Sequence, residues 1–371
     1  MENINRREFL PLAAAAAAAA TAAAPPARAA VPIKVAYITH ADGPHLVNYL
    51  PSLAGATEAH SVVLADASGT VEPAARKALA SRLTATYRDT AEMLRKEKPQ
   101  MALIAMEAAV APPAIRAALE AGCHVLAEKP ACVRLADFTA LAALARKQDR
   151  QLVLALANRI DPVIVEARRL MQSGLVGRIF GVEIQIVADQ TRLGNPTYQK
   201  TWFARKERAG GGHLIWLGIH WLDLAMYFTG SRIREVNGFI ANVGKTPMNV
   251  EDSATAALRF DNGTLGTMTS GYYVDKGYHS LLKIWGSDGW LELRKHGSTI
   301  PLEWYSNKEG KVHRYAGPLE PTGYEPFVRH IVRASAGYDP FILDVDDSHH
   351  VLKTVFAIYR AAETGATQKV I

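Results

Sequence analysis

From residue 31 to about residue 157, short apolar runs alternate with longer amphipathic stretches. Residues 33–38, 61–65, 101–106, 124–127 and 151–156 have the length and continuous apolar character of buried strands. Between them, residues 73–81, 90–98, 113–121 and 135–148 repeat Ala, Leu, Arg and Lys at three- and four-residue spacing, which predicts helices. Pro112 and Pro113 suit a first helical turn, and Gly122 suits the cap that ends it. Strands alternating with helices of this length predict parallel βαβ units and a doubly wound, Rossmann-type sheet over residues 31–157. The pattern changes at Asn158. A helix over 162–173 leads into a long alternating strand over 178–189, a second helix covers 213–229, and several strands then follow with turns at Asn262-Gly263 and Asp288-Gly289. Helices over 325–335 and 346–364 close the chain. Strands in succession imply a large, mainly antiparallel sheet, hence an α+β second domain over 158–371.

Composition agrees with two folded domains. The chain has 371 residues, 49% of them apolar and 21% charged, with 42 Lys+Arg against 36 Asp+Glu. The net charge of +6 is scattered rather than blocked, so a nucleic-acid partner has no support. Two cysteines, Cys123 and Cys132, make no disulfide framework and read as buried thiols. No Cys/His spacing matches a metal site, and His349 and His350, adjacent on a helix, point apart.

Residues 1–29 read as a removable leader. Arg6-Arg7 precede Phe9-Leu10, an alanine tract runs from Ala13 to Ala24, and Ala27-Arg28-Ala29 has the small residues of a cleavage site. This resembles a twin-arginine signal, which exports folded proteins, so the expected location is periplasmic or otherwise outside the cytoplasm. The apolar tract falls short of the about 20 residues that span a bilayer, and no membrane span is expected once it is removed.

Several segments together are similar to the Gfo/Idh/MocA family of nicotinamide-dependent oxidoreductases. The strongest is Ala121 through Pro130, a strand ending in Glu128-Lys129-Pro130; the second is Gly210-Gly211-Gly212 followed by Gly218-Ile219-His220 and Asp223. Asn158-Arg159, Glu251-Asp252 and the closing helices add to the match. The resemblance implies that Lys129 and His220 are catalytic, with Lys129 as the base beside a nicotinamide ring and His220 as base or proton relay. It implies NAD as a non-covalent cofactor, Glu128 and Lys129 at the cofactor, Asn158, Arg159, Trp202, Trp216 and His220 at a sugar or polyol substrate, and a homo-oligomer joined through the second-domain sheet.

Three departures from the family pattern stand out. Anchored on His45-Leu46, the glycine-rich first turn would place its three glycines at Tyr37, Thr39 and Asp42, and only Gly43 is available when the register slides by one. A Thr39 side chain narrows the approach to a diphosphate, although its hydroxyl could donate a hydrogen bond, and Asp42 adds negative charge there. The turn after the fourth apolar run carries Met106-Glu107 where relatives have Thr-Pro near the cofactor ribose. Trp216 stands where an aspartate four residues before the histidine is expected, and offers an apolar platform for a sugar face. Asp66, 23 positions after Gly43, keeps the spacing of a ribose-binding carboxylate and favours NAD over NADP. The sequence therefore supports an exported NAD-dependent sugar or polyol oxidoreductase. A redox-neutral glycoside-cleaving or epimerising enzyme with trapped NAD, and a non-catalytic binding protein on the same fold, remain as alternatives.

Overall fold

The computed structural model describes residues 31–274 and 276–371; the leader expected at 1–29 lies outside them. Residues Val31–Ile371 form one compact unit built on two sheets. The first contains β1 (Ile33–Thr39), β2 (Ala59–Asp66), β3 (Leu83–Tyr87), β4 (Met101–Ala105), β5 (His124–Ala127) and β6 (Leu152–Leu154). All its strand pairs are parallel, in the order β3-β2-β1-β4-β5-β6. The strand order reverses between β1 and β4, which is where open α/β sheets bind ligands. Helices α1 (Leu46–Gly55), α2 (Glu72–Leu79), α3 (Thr90–Glu97), α4 (Ala111–Glu120) and α5 (Leu135–Lys147) make the crossovers. Every residue of β4 is buried, as a strand covered on both faces requires. The edge strand β3 has no continuous apolar run: in Leu-Thr-Ala-Thr-Tyr only Leu83 is buried, so the hydrophobic pattern does not announce it.

The second sheet has nine strands: β7 (Ile179–Asp189), β8 (Ile233–Ala241), β9 (Ser253–Phe260), β10 (Leu265–Val274), β11 (Tyr278–Gly286), β12 (Gly289–Leu293), β13 (Leu302–Ser306), β14 (Lys311–Arg314) and β15 (Gln368–Lys369). Their order is β14-β13-β12-β11-β7-β10-β9-β8-β15, and only β7 and β10 run parallel. β9 alternates buried and exposed positions, the mark of a sheet with one packed face and one open face. The helices Ile219–Thr229 and Val345–Thr364 lie against the packed face. Arg159, in the turn after β6, joins distant segments of the second domain: it makes two bonds to Asp223, at 3.0 and 2.6 Å, and one to Asp347 at 2.8 Å. Burial pushes the Asp223 carboxyl upward, and the Arg159 guanidinium opposes that. No helix among the described residues is long and apolar enough to cross a membrane.

Candidate active site

β5 delivers Glu128 and Lys129, the two residues that follow it, to the carboxyl edge of the first sheet. Lys129 is 3% exposed. Its Nζ donates to the Trp216 carbonyl at 2.7 Å and lies 4.5 Å from the centre of the Trp216 ring. Burial lowers its pKa to about 8, with Glu128 opposing the shift and Arg192 adding to it. An amine so placed is part neutral near pH 8, which is what a general base needs.

The carbonyl that receives Lys129 comes from an irregular turn. The predicted helix over 213–229 opens with a π turn, Leu214–Gly218, in which the Ile219 N–H reaches back to the Leu214 carbonyl, before the α-helix Ile219–Thr229. Such a turn carries its carbonyls out of α register, and single π turns recur at functional sites. Glu251 secures its start: the carboxylate accepts from Gly212 N–H at 2.6 Å, Leu214 N–H at 3.0 Å and the Tyr359 hydroxyl at 2.8 Å. A Cβ on Gly212 would sit 1.9 Å from the Glu251 carbonyl oxygen, so the last glycine of the Gly210–Gly212 run is there for close packing. His220 follows the turn. Its Nδ1 is buried without a hydrogen-bond partner among the described residues. Burial, then the charges of Lys129 and Lys295, hold its pKa well below the ordinary histidine value, which favours the neutral ring, able to accept a hydrogen bond.

Trp216 and Trp202 come together as expected, their rings 5.3 Å apart edge to face, with Phe203 stacked on Trp202 at 3.8 Å. Trp202 Nε1 donates to the Asp42 carbonyl at 2.9 Å, so this aromatic wall leans on the turn between β1 and α1. Asn158 Oδ1 accepts from Lys295 Nζ at 2.5 Å, and Lys295 also pairs with Asp161. Lys295, His296 and Arg192 have no local sequence signal; chain topology alone brings them near Lys129 and His220.

Other expected site residues lie elsewhere or are otherwise engaged. Arg159 is committed to Asp223, Asp347 and the Ile342 carbonyl, a structural cross-tie rather than a free substrate ligand. Glu128 is turned behind Lys129, where its carboxylate meets His45 Nδ1 at 3.0 Å and the Tyr49 and Tyr324 hydroxyls. Its side chain is fully buried and is held below the ordinary carboxylate range: burial is the largest influence and opposes this, and His45, Lys129 and the Tyr49 hydroxyl together outweigh it. Tyr37 is inside β1 with its side chain buried, so the register anchored on His45 is wrong. The turn runs from Thr39 to His45 instead, and His45 opens α1 in a left-handed conformation. The Thr39 hydroxyl is spent on the Ala105 carbonyl at 2.7 Å. Asp66 is fully buried and accepts from Ser68 N–H and Oγ and from Val71 N–H, which ties down its own loop. Glu107 is buried in an ion pair with Arg208, and Met106 packs partly buried against the core. Cys123 and Cys132 are free, buried thiols, pushed up to about 12 by burial. His349 bonds Thr139 and His350 bonds the Ile233 carbonyl, on different sides of their helix.

Two family models match the chain: the oxidoreductase family's NAD-binding Rossmann fold over residues 48–156, and the Gfo/Idh/MocA C-terminal domain over 164–292. The chain belongs to the Gfo/Idh/MocA oxidoreductase family. Among curated proteins it is 26% identical over 274 residues to D-glucoside 3-dehydrogenase of Escherichia coli K12, covering 67% of this chain and 73% of that protein. It is 27% identical over 320 residues to myo-inositol dehydrogenase Hyg17 of Streptomyces leeuwenhoekii, covering 83% and 91%. Among solved structures, an oxidoreductase domain protein from Kribbella flavida superposes with a TM-score of 0.79 at 25% identity, over 92% of this chain and 100% of that one. Levoglucosan dehydrogenase in complex with NADH and L-sorbose gives 0.79 at 18% identity, over 91% and 99%, and shows the shared fold.

This Gfo/Idh/MocA chain therefore has an NAD-binding Rossmann domain, and its own residues bear on how a dinucleotide is held. Gly43 lies flat on the strand ends: a Cβ there would come within 2.4 Å of Thr39 Oγ1 and 2.6 Å of the Ala105 carbonyl. Beside it opens a groove of about 430 Å³ bordered by Asp42, Lys200, Trp202 and Arg208. Lys200, and Arg208 as a cation shared with Glu107, stand on its rim where a diphosphate would lie in place of the missing glycine amides. The residues fit the cofactor at this groove and at Lys129, while Thr39 and Asp66 face inward.

Proposed function

We propose that the protein is an NAD-dependent oxidoreductase acting on a sugar or cyclic polyol, exported by a twin-arginine leader. The observation that carries this reading is the buried Lys129 ammonium, brought to a pKa of about 8 beside His220 and the Trp216 ring. NAD, when bound, supplies the acceptor for the hydrogen leaving the carbinol carbon. Gly43, Lys200 and Arg208 would hold its diphosphate. Lys129 takes the hydroxyl proton in its neutral form, and the Trp216 carbonyl keeps Nζ aimed. His220 supplies a neutral acceptor for the same or a neighbouring hydroxyl. Trp202, Phe203 and Trp216 give a sugar ring an apolar wall and exclude water from one side. The outer face of the second sheet exposes Phe239 and Leu265, and a second copy of the chain covering it accounts for both.

The test is sugar- and polyol-dependent reduction of NAD by wild-type protein and by Lys129→Ala. Loss of at least about a hundredfold in kcat with NADH affinity kept supports the assignment. Equal turnover by the variant rejects Lys129 as the base.

A further inference from the structure

Arg192 sits just beyond the end of β7, and its guanidinium is partly buried beside the site. It is near enough to Lys129 and His213 for its charge to depress the proton affinity of both. No carboxylate lies within 4.0 Å of it among the described residues, although the other partly or fully buried cations of this region, Lys129 and Lys295, each have one. Arg192 meets phenols instead. Its Nη2 donates to the Tyr278 hydroxyl at 3.0 Å, and the guanidinium lies 5.1 Å from the Tyr272 ring centre and 5.9 Å from that of Tyr198. Asp189, the closest acid in sequence, spends one carboxylate oxygen on the Thr191 N–H and hydroxyl.

A guanidinium withdrawn from water without a counter-ion is costly unless an anion completes it. Tyr278 sets a hydroxyl beside it that can donate to such an anion, while Tyr272 and Tyr198 border it with their rings. The acid expected before His220 is also absent, with Trp216 in its place, so that helix turn offers Arg192 no carboxylate. We propose that the substrate is a carboxylated sugar, a uronic acid or its glycoside, with the carboxylate held by Arg192 and Tyr278 and a ring hydroxyl presented to Lys129. The planar fork of arginine pairs with a carboxylate through two parallel bonds, and a single cation balances a monoanion, which favours carboxylate over a phosphate dianion. This inference rests on the proposed sugar-binding role of the site.

Binding can be measured without turnover, through quenching of Trp202 and Trp216 fluorescence. The full-length protein is titrated with methyl glycosides of glucose, galactose and mannose, with the corresponding methyl uronides, and with glucose 6-phosphate. The expected result is at least a tenfold tighter constant for one uronide than for its neutral partner. Arg192→Gln should bring that ratio to about one, and Arg192→Lys should retain part of it, with unfolding midpoints reported for both variants. Equal binding within every pair, tighter binding of the phosphate, no binding of any uronide, or a preference that survives Arg192→Gln each overturns the proposal. NADH titration of the same samples separates the two levels: a protein that binds NADH and neutral sugars without the preference refutes only the uronate assignment. One that binds neither NADH nor any sugar refutes the oxidoreductase reading as well.

Discussion

Replacing Glu128 by glutamine isolates the charge that opposes the depressed pKa of Lys129. The carboxylate oxygen Oε1 is 3.9 Å from Nζ. Unit charges at that distance interact by about 4 kcal/mol at an effective dielectric of about 20, equivalent to about 3 pK units. The realised effect is smaller, because the same carboxylate is shared with His45, Tyr49 and Tyr324; a shift of roughly one to two units is expected. The sign is fixed: removing a nearby negative charge destabilises the ammonium, so the Lys129 pKa falls. In the wild type, kcat/KM for sugar oxidation should rise with pH through a limb near the lysine pKa of about 8 and then level off. In Glu128→Gln that limb moves to about 6 to 7 while the plateau changes little, since the amide oxygen still accepts from the two tyrosines. A limb that stays in place, or moves to higher pH, refutes the argument that Lys129 is the titrating base.

Arg159→Ala leaves Asp223 buried and uncompensated, and should cost about 3–5 kcal/mol in denaturant unfolding; a loss below about 1 kcal/mol would show that the cross-tie does not hold these segments of the second domain together. Gly43→Ala forces a methyl group to within 2.4 Å of Thr39 Oγ1. The turn must move, so NADH affinity measured by fluorescence titration should fall at least tenfold; unchanged affinity would place the dinucleotide away from this turn. Thr39→Gly frees space at the strand ends and releases the Ala105 carbonyl, so NADH should bind tighter, at a stability cost near that of one buried hydrogen bond, about 1 kcal/mol.

The hydrophobic pattern was enough for both sheets and for most of their strands, because buried parallel strands are apolar throughout and half-buried antiparallel ones alternate. It missed β3, an edge strand whose threonines carry no apolar signal. The motif residues Lys129, His220 and Trp216 do meet, because each is carried by a strand end or helix whose place the fold dictates. Tyr37 and Thr39 were misplaced because spacing counted along the chain does not say where β1 ends; Asp66 does end β2, and its carboxylate is engaged by its own loop. With β1 continuing to Thr39, the whole turn is displaced and the nearby polar groups are satisfied internally. Arg159 has the sequence position of a ligand residue but the surroundings of a structural one, since its partners Asp223 and Asp347 are distant in the chain. Arg192 and Lys295 were invisible for the same reason; only the packing of β7, β11 and the segment after β12 brings them to the site. The π turn likewise has no one-dimensional signature beyond the glycines that Glu251 requires.

Activity requires a dinucleotide lodged against Gly43 and Lys129 in spite of the altered first turn. Mass spectrometry of small molecules released on denaturing the purified full-length protein tests this most directly. The account predicts NAD or NADH at close to one per chain. Protein that releases neither, and fails to bind added NADH, would contradict it.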